Sequence, residues 1–387
     1  MKSNVRIFAI SATAMLVLSA CGATNTSQGT DPTGGTTASP MPPKSPPIWS
    51  LTGMPGPEDA QAKPIMVVKV ENAPQVRPQT GLNHADLIFE ELVEGGMTRF
   101  ATVWQSDIPP EIGPVRSVRH VDVAIAEPMA DIFVFSGGAK RTMRFVNRKL
   151  PTTISINTEG APGLYRKKGH SAPHNLFLKP DELIASVADN ASVSGGFFFR
   201  PDPTTVSAPS ASPDASASPA VGASAQTAIP VIDVGVAFST FAEPNWKWDG
   251  ASSQWLRSEG IKPFKNIDGT QFGTDNLVII EVREIDAGYK GSTGGYVPRT
   301  VLTGSGRAWV LSAGTAFEVA WKKPQVNAQM ELTDLAGNPF TMPVGRTWVE
   351  LIPILTTGHY SFDGVDVPMK KPPLPATIPD PSESATP

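Results

Sequence analysis

Residues 202–228 read DPTTVSAPSASPDASASPAVGASAQTA, and no other feature constrains the fold of this chain as strongly. The tract carries almost no large apolar side chains, so it cannot bury enough surface to offset the entropy of ordering. Residues 22–48 and 371–387 have the same Gly, Thr, Ser, Ala and Pro character. Every folded element must therefore come from two stretches on either side of a linker. With 387 residues, 40% of them hydrophobic, both stretches are long enough to build a core.

Cysteine narrows this further. The only one is Cys21, so an internal disulfide is impossible and packing alone must stabilise the chain. Its position is informative. Residues 1–20 begin with Lys2 and Arg6, continue through a short apolar run from Ile7 to Leu18, and end Leu18-Ser19-Ala20 before Cys21. A basic start, a run too short to span a bilayer and small residues at the end form an export signal. Leu and two small residues before Cys form a lipobox. Cleavage and a diacylglyceryl group on Cys21, with palmitate-class acyl chains, are the expectation. Each buried methylene contributes about 0.8 kcal/mol, so two or three chains hold the protein on the extracytoplasmic face of the cell membrane. The tether beyond Cys21 then reaches at most roughly 90 Å from the bilayer. Removing Lys2 and Arg6 takes the formal charge from −4 to −6. That balance gives no reason to expect nucleic acid as a partner.

The expected organisation is a signal peptide over 1–20, lipidated Cys and tether over 21–61, a first domain over 62–201, the linker 202–228, a second domain over 229–370 and a tail over 371–387. In the first domain, Ile65 to Val70, Asp86 to Glu90, Thr98 to Trp104 and Asp131 to Phe135 read as strands, with Gly95-Gly96 turning a hairpin. Helices are expected at Val121 to Met129, at 139–148 and at 180–188. The alternation predicts an α+β or α/β domain. The second stretch has short segments rich in Val, Ile, Trp and Phe between turn residues. Trp246-Lys247-Trp248 turns at Asp249-Gly250 into Gln254 to Arg257, and Arg307 to Leu311 turns into Ala316 to Trp321. A mostly antiparallel β domain is predicted.

Common catalytic signatures are missing. There is no phosphate loop ending in Lys-Ser/Thr, no zinc spacing and no Gly-x-Ser-x-Gly elbow, so no cofactor or metal is assigned. A dense polar segment remains. Glu91 and Glu94 precede Arg99, and Arg116, Arg119 and Asp122 follow. Arg116 and Arg119 are three apart; in the first turn of a helix they would share a face beside its positive end, a geometry that suits phosphate or carboxylate. The alternative is that they pair with Glu91 and Glu94 and only tie strands to a helix. A second cluster holds Arg166, Lys167, Lys168 and His170, then Pro173-His174-Asn175. His174 is a candidate general base or hydrogen-bond donor, or a loop residue satisfied by backbone. Glu91 or Glu94 with Asp122 could serve glycoside hydrolysis if suitably spaced. Trp246, Trp248 and Trp255 are either core or a stacking surface.

Several segments together resemble the YerB-like lipoproteins. In the first half they are Pro78 to Asp86, Glu90 to Phe100, Gly113 to Arg119, Ser136-Gly137-Gly138 and Ala172 to Leu176; in the second, Thr303 to Gly306, Trp321-Lys322 and Gly345 to Trp348. The resemblance implies an envelope lipoprotein, mainly of Gram-positive bacteria, with a two-part domain of unknown function. It assigns no catalytic residues. Three readings follow: binding of an anionic cell-wall component, docking with an envelope protein, or hydrolysis or transfer on wall glycan or peptide through Glu91, Glu94, Asp122 or His174.

Overall fold

The computed structural model describes residues 47–150, 154–156, 161–187, 198–199, 228–291, 294–354 and 358–370. Cys21, the export signal and the tracts at 22–46, 202–227 and 371–387 lie outside the described residues. In the first half the elements are β1 Met66–Glu71, β2 Leu87–Leu92, β3 Thr98–Trp104, α1 His120–Ala126, β4 Ile132–Val134, α2 Lys140–Lys149, β5 Ile154–Ile156, β6 Leu164–Arg166, β7 Leu176–Leu178 and α3 Pro180–Val187. The second half adds β8 Ala228–Pro230, β9 Asp233–Ala237, β10 Pro244–Asp249, β11 Gln254–Glu259, β12 Lys262–Pro263, β13 Gly273–Thr274, β14 Asn276–Asp286 and β15 Pro298–Val301. It continues with β16 Gly304–Ser312, β17 Thr315–Lys323, β18 Glu331–Thr333, β19 Thr347–Pro353, β20 His359–Phe362 and β21 Val365–Asp366. The first half is thus α+β and the second mostly antiparallel β, as the residue patterns predict.

One sheet contains strands of both halves. Its order is β18-β17-β16-β14-β19-β2-β3-β1-β4-β5, with β15 on β14 and β8 on β17. The seam is parallel: Thr347 to Leu351 of β19 pair in register with Leu87 to Glu91 of β2. On its other side β19 runs parallel to β14. A second sheet, β12-β11-β10-β9-β20-β21 with β13 on β11, is antiparallel and comes from the second half alone.

Alternation along the strands creates two cores, one on each face. Met66, Val68, Val70, Ile88, Phe100, Leu277, Ile279 and Trp348 face the second sheet, where Trp246, Trp255 and Phe272 meet them. Val67, Leu87, Phe89, Val103, Val278, Ile280 and Val349 face the other way, against Val121, Ile125, Phe145 and Val146 of α1 and α2. Coverage on both sides explains why β1 is an apolar run broken by Lys69 and closed by Glu71. Trp246 and Trp255 are fully buried, so they are core.

Candidate functional site

The parallel strands β1, β2 and β14 end on the same side of the sheet, and β3 starts there. Loops beyond the carboxyl ends of parallel strands are where open sheets place ligands, because side chains there are freed from the ladder while the strands fix their bases. Residues 93–97 connect β2 to β3. Val93 donates its amide to the Met97 carbonyl at 2.8 Å, and Gly95 and Gly96 take φ of 75° and 72°. A Cβ at Gly96 would approach Ser239 and Phe241 at 3.0 Å, so glycine lets the turn touch the second half. Ser239 Oγ donates to the Gly96 carbonyl at 2.5 Å.

These elements enclose a cleft of about 760 Å³ whose lining includes Glu94, Arg99, Arg116, Arg119, Glu284 and Tyr296. Arg99 is the second residue of β3 and only 9% exposed. Its guanidinium donates to the Ser117 carbonyl at 3.2 Å. It makes no ion pair among the described residues, although Glu71 and Glu91 are its register partners on β1 and β2. Both carboxylates are engaged elsewhere. Burial, and then repulsion from Arg119 and Arg116, push Arg99 down to about 10 against the weaker pull of Glu94 and Glu71. Arg119 donates through Nε to Glu94 Oε2 at 3.0 Å and through Nη2 to the same oxygen. Burial works to raise the Glu94 carboxyl, but Arg119 outweighs it and leaves Glu94 below its ordinary range. Arg116 donates to the Pro173 carbonyl at 2.9 Å and lies 3.4 Å from Glu71 Oε1.

His174 reaches the same neighbourhood from the other side. Its Nδ1 is 2.8 Å from Glu71 Oε2, so Glu71 links it to Arg116. Asn175 instead accepts from Arg166 at 2.6 Å and does not line the cleft. The expectation that Arg116 and Arg119 share the first turn of a helix is not met. The helix starts at His120, and Arg119 is its cap. Asp122 accepts the Arg119 amide at 2.6 Å, which fixes the start there. Arg116 sits earlier, in an extended stretch that donates its amide to Lys69 at 2.8 Å. The two guanidiniums converge because 113–119 is pinned to β1, not through helical spacing.

Glu91 and Asp122 are brought together, but inside the protein. Both bond Lys69 Nζ, Asp122 at 2.7 Å, and all three are essentially unexposed. Parity explains this. Leu87, Phe89 and Glu91 share the face packed on α1, while Ile88 and Glu90 face the second sheet. Glu90 correspondingly meets buried Arg257 at 2.8 Å. Reading by sequence missed Lys69, Glu71, Glu284 and Tyr296. A lysine within a β-branched run was a usable signal for a buried acid partner. Nothing local marked Glu284 or Tyr296, which lie nearly two hundred residues from Arg99.

Comparison with known proteins agrees with this architecture. Residues 51–194 match the N-terminal domain of a family of unknown function, DUF3048, and residues 234–349 match its C-terminal domain. The chain is 26% identical over 329 residues to the Bacillus subtilis (strain 168) protein named "Putative lipoprotein YerB", covering 80% of this chain and 88% of that protein. The crystal structure of YerB protein from Bacillus subtilis matches with a TM-score of 0.63 at 22% identity, covering 81% of this chain and 99% of that one. With both of its domains present in order on one shared sheet, the chain belongs to the YerB-like two-domain family of unknown function.

Proposed function

We propose that this protein is a lipid-anchored envelope protein that binds an anionic ligand, such as a phosphate- or carboxylate-bearing wall component, in the cleft of Arg99, Arg116 and Arg119. The observation that carries the reading is Arg99: a guanidinium nine-tenths buried, without an ion pair among the described residues, flanked by two more arginines at an open cleft. A buried cation without a direct ion pair is costly, and an incoming anion with a fork-shaped face reduces that cost. Anchoring rests on the lipobox at Cys21 and on the name of the Bacillus relative.

The hydrolase reading gains no support from its acids. Glu91 and Asp122 are closed on Lys69, and Glu94 is held by Arg119. Docking with an envelope protein remains a second use of the same cleft, with an acidic side chain as the anion.

Two measurements test the proposal. Residues 22–387 are titrated with inorganic phosphate and with solubilised wall polymer. Binding should weaken with salt and fall at least tenfold in Arg99→Gln, about 1.4 kcal/mol or more. Equal binding by the variant would sink the anion reading. Separately, Cys21→Ser should move the protein out of the membrane fraction; if it stays there at wild-type size, the anchor is elsewhere.

A further inference from the structure

Glu284 gives the cleft a second pole. It stands near the end of β14, on the face that carries Val282 and Ile280 toward α1. It is 8% exposed and lines the same cleft as Arg99. Tyr296 donates its hydroxyl to Oε1 at 2.9 Å, and Oε2 has no hydrogen-bond partner among the described residues. No ion pair to Glu284 exists among the described residues. Burial raises its carboxyl and the Tyr296 hydroxyl lowers it.

One cleft therefore holds an underpaired buried guanidinium and, apart from it, an underpaired buried carboxylate. We infer that the ligand is zwitterionic, of the amino-acid or short-peptide class, with its carboxylate on Arg99 and its ammonium on Glu284. The inference rests on the anion-binding reading for the arginine pole and adds the ammonium pole to it. A simple anion satisfies Arg99 and leaves Glu284 as it was. A neutral hydroxyl would occupy Oε2 but bring no charge. An ammonium supplies both donors and charge, and a carboxylate accepts the guanidinium fork through two oxygens. Glu94 already seats one carboxylate on Arg119, which shows that the arginine pole accepts that group.

The test uses residues 22–387 and five probes: inorganic phosphate, alanine, trialanine, Nα-acetyl-trialanine and trialanine amide. Affinities are measured by calorimetry. Alanine or trialanine should bind at least tenfold more tightly than the acetylated and amidated peptides, and which of the two binds better separates a free amino acid from a peptide end. Glu284→Gln should erase the preference for the free amine. Arg119→Gln, at a less buried position than Arg99, should weaken phosphate and free carboxylate alike. Acetylated and free peptide binding equally would overturn the inference and leave the anion reading intact. Phosphate binding with no response to alanine or trialanine overturns it as well. If wild-type protein takes up neither phosphate nor any peptide, the anion reading itself fails. Comparing free with acetylated peptide on the wild type keeps the inference testable even if a variant does not fold.

Discussion

Lys69 places its ammonium between Glu91 and Asp122, with all three side chains removed from water. Such a cluster adds little net stability when intact, but removing its centre is expensive because the remaining charges keep their desolvation cost. Lys69→Met should therefore destabilise the fold by about 3–5 kcal/mol in urea titration. Burial, then repulsion from Asp122, raise Glu91 to about 7, against the opposing pull of Lys69. The folded state thus holds a proton on Glu91 that the unfolded chain releases above its ordinary value near 4.5. Stability from this group is present below that value and is lost as pH rises toward 7. The difference in unfolding free energy between wild type and Glu91→Gln should change over that window and be flat above it; no change would show that Glu91 is ionised throughout. Sequence legibility was uneven at this scale. Glu94, Arg99, Arg116 and Arg119 stand out in the sequence as one dense polar segment, and they meet at one cleft. Glu91 belongs to the same segment but is buried on Lys69, because a run of acids does not reveal which face of the strand each occupies.

The hairpin 93–97 shows what an element contributes. Gly95 and Gly96 both have positive φ, but only Gly96 has neighbours where a Cβ would lie. Gly95→Ala should cost about 1–2 kcal/mol for the left-handed backbone alone. Gly96→Ala should cost more, since it also pushes on Ser239 and Phe241, and it should weaken anion binding by displacing Glu94 and Arg99. Equal losses of stability would mean that the contact to Ser239 has no weight. Most elements were readable because their signals are local. The Trp246–Arg257 hairpin turns where Asp249-Gly250 predicts, with Trp248 opposite Trp255. The helix expected at 139–148 lies at Lys140–Lys149. The helix expected from Val121 starts one residue earlier, at His120, where the Asp122 bond to the Arg119 amide fixes it, and it ends at Ala126 rather than Met129.

For the whole molecule, the linker is less of a divider than its composition suggests. The parallel seam between β2 and β19 and the buried Glu90–Arg257 pair both join residues from opposite sides of it. A specific protease site placed within 202–227 should therefore yield two fragments that co-elute and unfold in a single transition; fragments that separate without denaturant would contradict the shared sheet. What the sequence determined by itself was local or compositional: which stretches can fold, where turns fall, the Cys21 motif, and the strand parity that gives each half its apolar faces. Only the tertiary structure decided that the halves complete one sheet and that Arg99 and Glu284 line one cleft. A single sequence states the period of a strand but not its neighbour, because parallel pairing between distant segments has no local turn to set its register.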